Sequence, residues 1–140
     1  MLEKIRDYVA TCPFIDEFAE INANYLSNEV ENYSVIETAS YNPVLEQYDN
    51  GDVEKQFLFS LDAKLSWNSE VENNISNSSF FEKFSKWLKY NYDNDIYPQL
   101  SENVLPISIE ATSNGYIFIA ETNEAIYRIS CKFTYLEMKG

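Results

Sequence analysis

The spacing of apolar and polar positions in this chain predicts one strongly amphipathic helix that covers a β-sheet. Between Ser79 and Tyr92 the apolar residues recur every three or four positions, which places them on one helical face: Phe80, Phe81, Phe84, Trp87 and Leu88. Ser78 or Ser79 is the expected N-cap, and Glu82 completes a capping box. An isolated helix cannot expose this many aromatic side chains to water without a large free-energy cost. We therefore expect this face of the helix to pack on a sheet.

Alternating apolar and polar positions predict strands on both sides of this helix. The strands are expected at residues 19–26, 33–38, 54–67, 107–111, 116–120 and 127–135. The last three are expected to form a meander, with the chain turning at Ser113–Gly115. Leu2, Ile5 and Val9 predict a short first helix that ends before Cys12–Pro13.

The order of these elements defines the expected fold. It reads α-β-β-β-α-β-β-β in a single domain, residues 1–140. This order favours an α+β two-layer sandwich, in which helices lie on one face of a mostly antiparallel sheet. Residues 39–52 are rich in Tyr, Asn, Pro and Asp and contain Asn50–Gly51, so they predict an exposed loop or an extended hairpin tip.

Composition and charge restrict the classes of function. The 140 residues are 45% hydrophobic, which suits a folded domain, and no apolar run approaches the roughly 18 residues of a membrane helix. The charged N-terminal segment does not resemble a signal peptide, so we expect a cytoplasmic protein. Cys12 and Cys131 are expected to be reduced and buried rather than disulfide-bonded.

The net charge of −13, with only ten basic residues, argues against a surface that grips nucleic acid. It is compatible with a protein past which DNA moves without adhering, because an acidic wall repels phosphates. A soluble acidic domain with no connection to nucleic acid also fits this composition.

The residues offer little for catalysis. The chain has no histidine, which removes the commonest general base and zinc ligand, and it has no glycine-rich phosphate-binding loop. Asp49–Asp52 and Asp93–Asp95 could supply oxygen ligands to calcium, but neither continues into an EF-hand loop. We therefore expect no enzymatic activity, no cofactor and no metal site. Several of the eleven tyrosines lie near loops, where they suit either protein contacts or packing at the edge of the core.

Five segments together resemble a family of small minor capsid or tail-completion proteins from tailed phages and prophages of Gram-positive bacteria. The segments are Leu2–Phe14 (LEKIRDYVATCPF), Lys55–Phe59 (KQFLF), Phe80–Leu88 (FFEKFSKWL), Ser113–Phe118 (SNGYIF) and Tyr127–Tyr135 (YRISCKFTY). Residues 41–50 and 68–78 do not match the family pattern. Some relatives carry a chloramphenicol-resistance label, but the missing histidine argues against acetyl transfer here.

The resemblance implies a tail terminator or head–tail joining subunit in the virion tail or neck, assembled in the bacterial host cytoplasm. Such a subunit forms a ring, in this case a hexamer, on the last ring of the tail tube and presents its opposite surface to the head connector. The implied partners are other copies of the chain, the tail-tube protein and the head–tail connector proteins. DNA would pass through the lumen without specific binding, and no membrane is involved.

The loop at residues 41–52 is the expected contact element with the tube or a neighbouring subunit. The interface residues expected within it are Tyr41, Asn42, Pro43, Tyr48, Asp49, Asn50 and Asp52. Two alternatives remain open. One is another virion position, such as a head-completion or tail-tube protein. The other is a small metal-dependent enzyme that uses Asp and Glu side chains.

Overall fold

A computed structural model describes residues 1–15, 21–23, 32–39, 43–66, 71–121 and 124–139. The fold is α+β, with a mostly antiparallel sheet and two helices, so the predicted class and order of elements are confirmed. One short strand, β3, is present within the predicted loop. The elements are α1 (Leu2–Val9), β1 (Ile21–Ala23), β2 (Asn32–Glu37), β3 (Val44–Gln47), β4 (Val53–Ser66), α2 (Val71–Asp93), β5 (Val104–Ala111), β6 (Tyr116–Ala120) and β7 (Glu124–Glu137).

The sheet is built around strands β4 and β7, which are each 14 residues long and pair antiparallel over their whole length. Strands β2 and β3 share the other edge of β4, and β5 and β6 share the outer edge of β7. Strand β1 extends the sheet beyond β2 and is the parallel member. Two long central strands therefore carry four shorter ones on their outer edges.

The strict alternation in β4 and β7 gives the sheet one apolar face. Phe57, Phe59 and Leu61 lie opposite Phe133, Cys131 and Ile129, and these six residues are all buried. Because successive side chains point to opposite faces, the intervening residues form a second, more polar face. Ser60 and Asp62 are buried on that second face.

Both helices cover the apolar face. In α2 the side chains of Phe81, Phe84 and Leu88 are almost completely buried, as the helical spacing predicted. The Phe81 ring lies 5.9 Å from the ring of Tyr127 on β7, measured between centroids. Helix α1 packs beside α2, and the ring of its Tyr8 lies 5.3 Å from that of Trp87.

The expected start of the second helix is wrong. Helix α2 begins at Val71, so Ser78 and Ser79 lie inside the helix and cannot be its N-cap. The segment before Ser79 is rich in Asn, which is a weak helix former, but it contains neither Pro nor Gly to interrupt a helix. The helix therefore extends beyond its amphipathic part toward the N-terminus, through residues that have only a weak intrinsic preference for helix.

The expected meander of the last three strands is also wrong. Strands β5 and β6 both run antiparallel to β7 and lie end to end along it, so the chain does not reverse at Ser113–Gly115. The backbone N–H of Ser130 on β7 donates to the hydroxyl of Ser113, which holds this link against the sheet. At Gly115 an added Cβ would collide with the side chain of Phe81. The link passes so close to α2 that only glycine fits there.

A small polar network joins α1 to the end of α2. The Tyr8 hydroxyl donates to the backbone carbonyl of Ile96 at 3.0 Å and accepts from the Asn91 amide at 2.9 Å. Tyr8 and Asn91 are both buried. Burial raises the pKa of Tyr8 to about 12, although the Asn91 hydrogen bond acts in the opposite direction.

Cys12 and Cys131 are free and buried, as predicted. Burial raises the pKa of each thiol, so both remain protonated at neutral pH. A protonated thiol is a poor nucleophile, and these two residues act as small core side chains.

We expect Leu88→Ala to lower the free energy of unfolding by about 2–5 kcal/mol, because it leaves a cavity beneath α2. Tyr90→Ala, two residues later on the same helix, should change it by less than about 0.5 kcal/mol, since this side chain is 61% exposed. Urea unfolding of both variants measures the difference. Equal destabilisation would contradict the assignment of Leu88 to the core.

Stability should also fall at high pH because of Tyr8. The native state holds the phenolic proton more tightly than the unfolded chain, so this contribution is lost as the pH rises from about 10 to about 12, and amounts to roughly 2–3 kcal/mol. Tyr8→Phe should reduce the loss of stability between about pH 8 and pH 11 relative to the wild type, as measured by urea unfolding. An identical loss in both proteins would contradict this role.

Candidate functional site

The predicted contact loop is a β-hairpin tip between β3 and β4. Its turn is closed by two backbone hydrogen bonds, from Tyr48 N–H to the Asp52 carbonyl at 2.9 Å and from Gly51 N–H to the Tyr48 carbonyl at 3.0 Å. Gly51 has a φ of +94°, a conformation that favours glycine. The Asn50–Gly51 signal in the sequence therefore located a real turn.

Asn50 and Asp52 stabilise this tip from within. The Asn50 amide donates to the Asp52 carboxylate at 3.1 Å, and the Asp52 N–H donates to the Asn50 side-chain oxygen at 3.0 Å. The Asp52 carboxylate also accepts from the backbone N–H of Lys139, just beyond β7, at 3.0 Å. These contacts hold the tip in one conformation against the end of the central strand pair.

The other expected interface residues fall into two groups. Tyr41 and Asn42 lie outside the described residues. Pro43, Tyr48 and Asp49 are exposed, with Tyr48 at 43%. The pKa of Tyr48 is raised mainly by desolvation and, to a smaller extent, by the negative charges of Glu46 and Glu54. The tip therefore presents a tyrosine among carboxylates.

A second exposed surface, which we call the open edge, was not among the sites expected from the sequence. It is formed by β5 and β6 along the outer side of β7, and it exposes six large apolar side chains by 39–47%: Leu105, Ile107, Tyr116, Ile117, Phe118 and Ile119. Within the described part of the chain, neither strand pairs with anything except β7. All five residues of β6 are exposed.

A signal for the open edge was present in the sequence. Tyr116–Ala120 is a continuous apolar run, whereas a strand with one face in water alternates apolar and polar residues. Such runs are typical of strands that are covered on both faces. The residues that the structure describes do not cover β6, whose five residues are all exposed.

An ion pair with a buried carboxylate and a partly exposed guanidinium anchors the open edge to the sheet. Arg128 on β7 donates to both carboxylate oxygens of Asp62 on β4, at 2.9 and 2.8 Å, and the Ser60 hydroxyl donates to the same carboxylate. The Asp62 side chain is 4% exposed. The Arg128 guanidinium carbon lies 3.7 Å from the ring centroid of Phe118 on β6, a cation–π contact.

This pair also affects titration. The hydrogen bond to Asp62 raises the pKa of Arg128 above its ordinary value, because it stabilises the charged guanidinium. Asp62 and Arg128 are 66 residues apart in the sequence, so their pairing depends on the register between β4 and β7. No local sequence pattern could have indicated it.

Within the described ranges, no group of three or more His, Cys, Asp or Glu side chains could hold a metal ion. The carboxylate of Asp52, expected as one possible calcium ligand, instead accepts hydrogen bonds from Asn50 and Lys139. Neither described helix is long and apolar enough to cross a membrane.

No protein-family model and no curated protein sequence matches this chain.

We expect Arg128→Met to lower the free energy of unfolding by about 3 kcal/mol, because it leaves the buried Asp62 charge without its partner. Lys55→Met is the matched control. It removes another β4–β7 ion pair, with Glu137, whose side chains are 31% and 43% exposed, so the loss should stay below about 1 kcal/mol. Chemical denaturation of both variants measures this difference, and similar losses would contradict the importance of burial.

Proposed function

We propose that the protein is a non-enzymatic structural subunit of a phage virion, a tail terminator or head–tail joining protein. It assembles as a ring of six copies at the end of the tail tube and docks to the head connector. The observation that carries this proposal is the open edge, which gives a small acidic domain a fixed apolar surface whose strand β6 pairs with no described strand except β7.

The open edge favours association with another protein chain. Soluble proteins usually protect edge strands with charged residues, prolines or a covering segment, yet β6 has no charged residue or proline. An added strand would satisfy the backbone groups of β6 and would remove its apolar side chains from water. We assign this surface to the contact with the tail tube or the head connector.

The support beneath the open edge suits a structural role. Strand β6 is paired to the 14-residue β7, and the guanidinium of Arg128, held by Asp62, stacks on the ring of Phe118. The edge is therefore held in place before any partner arrives, which lowers the entropic cost of binding. The net charge of −13 per subunit would add around a ring and discourage DNA from adhering in its lumen.

The open edge is tested by Ile119→Lys, with Ile96→Lys as the matched control. Both isoleucines are 45% exposed, but only Ile119 lies on β6. We expect Ile119→Lys to weaken binding to tail tubes roughly tenfold or more, since it places a charge in an apolar contact, while the control binds like wild type.

Binding is measured by cosedimentation with tubes assembled from the tube protein of the same phage, and negative-stain images show whether the tube ends carry rings. Equal binding by the two variants would show that the open edge does not form the contact with the tail tube. A wild-type protein that never binds tube ends would refute the tail-terminator proposal itself.

A further inference from the structure

A shallow apolar cleft of about 320 Å³ lies between α2 and the chain that follows α1. It is lined by Phe14, Lys83, Lys86, Trp87 and Tyr90. Phe14 is 45% exposed and Tyr90 61% exposed, so two of its aromatic walls are largely open to solvent. Exposed rings of this kind are typical of protein contact sites.

The two lysines of the cleft have no ion-pair partner among the described residues. In the described part of the chain, neither Lys83 nor Lys86 forms an ion pair, and the ammonium of Lys83 lies 5.9 Å from the centroid of the Phe14 ring. Lys89, one turn further along α2, is paired with Asp93 at 3.3 Å. In a chain with 23 acidic and ten basic residues, two lysines one helical turn apart that form no ion pair with a described residue can bind an acidic ligand.

The hairpin tip has the complementary chemistry. Tyr48 projects an aromatic ring that is 43% exposed, and the exposed carboxylates of Glu46 and Asp49 flank it. The bonds from Asn50 and Lys139 to Asp52 hold the tip before it meets a partner. A preorganised tip loses little conformational freedom on binding.

We infer that the hairpin tip of one copy binds the cleft of a second copy. The ring of Tyr48 enters between the aromatic walls, and Glu46 and Asp49 lie beside Lys83 and Lys86. This inference rests on the proposed function, because it identifies the contact between subunits of the ring and leaves the open edge for the tube or connector.

The symmetry of such a contact follows from the position of its two halves. The tip lies at the end of the sheet where β7 ends, whereas the cleft lies on the helix layer. A contact between two different surfaces is heterologous, so each copy can bind one neighbour on each side. Repetition of this contact closes a ring when the rotation between copies permits it.

The test uses reversed charges on each half. The tip variant is Glu46→Lys with Asp49→Lys, and the cleft variant is Lys83→Glu with Lys86→Glu. The control is Lys89→Glu with Lys132→Glu, which alters the net charge as much as the cleft variant but touches neither half. Self-association of the full chain is measured by sedimentation velocity over a series of concentrations.

We expect the tip variant alone and the cleft variant alone to associate roughly tenfold or more weakly than wild type, because like charges then face each other across the contact. The control should associate like wild type. The tip variant is the more stringent case, since it reduces the net negative charge and so reduces general repulsion. An equimolar mixture of the tip and cleft variants should recover association, because every contact in an alternating ring then joins opposite charges.

Several outcomes would overturn the inference. These are wild-type association by both half variants, failure of the mixture to recover, or a wild-type protein that is monomeric at its highest soluble concentration. If either half variant still forms rings on tail tubes, the subunit contact is wrong but the proposed function stands. If the wild type forms no ring on tubes either, the proposed function fails as well.

Discussion

The antiparallel pairing of β4 with β7 is the interaction on which the rest of this structure depends. Its 14 residue pairs run from Val53 opposite Glu137 to Ser66 opposite Glu124. The register decides which side chains face the helices, and it brings Asp62 opposite Arg128. A slip by one residue would turn the apolar set toward the polar face and separate this ion pair. The core and the support beneath the open edge are therefore fixed together.

Local periodicity was enough to predict α1, the amphipathic part of α2, the main strands and the layered α+β class. Each of these depends on side chains a few residues apart, such as Phe81, Phe84 and Leu88. The errors arose where distant parts of the chain decide the outcome. Strands β5 and β6 lie end to end because β7 is long enough to pair with both, and the sequence of Ser113–Gly115 looks like an ordinary turn.

The candidate surfaces also combine features set by neighbouring residues, which the sequence predicts, with features set by distant residues, which it does not. The turn at Asn50–Gly51 was readable because it depends on local backbone chemistry, but the bond from Lys139 to Asp52 joins residues 87 positions apart. The cleft likewise combines Phe14 with residues of α2, and the open edge depends on the absence of cover for β6 in the described chain. The tip, the cleft and the open edge occupy different sides of one framework. This arrangement suits a subunit with several simultaneous neighbours.

The open edge also affects how separate copies of the chain behave toward one another. Tyr116–Ala120 is an uncharged, apolar edge strand, the kind of segment through which proteins aggregate. The surplus of carboxylates counteracts this hazard, because free subunits of charge −13 repel one another at separations up to about 8 Å at physiological ionic strength. Random collisions between unassembled copies are thereby discouraged. The acidic composition thus counteracts association through the open edge, in addition to the role that we propose for it in a ring.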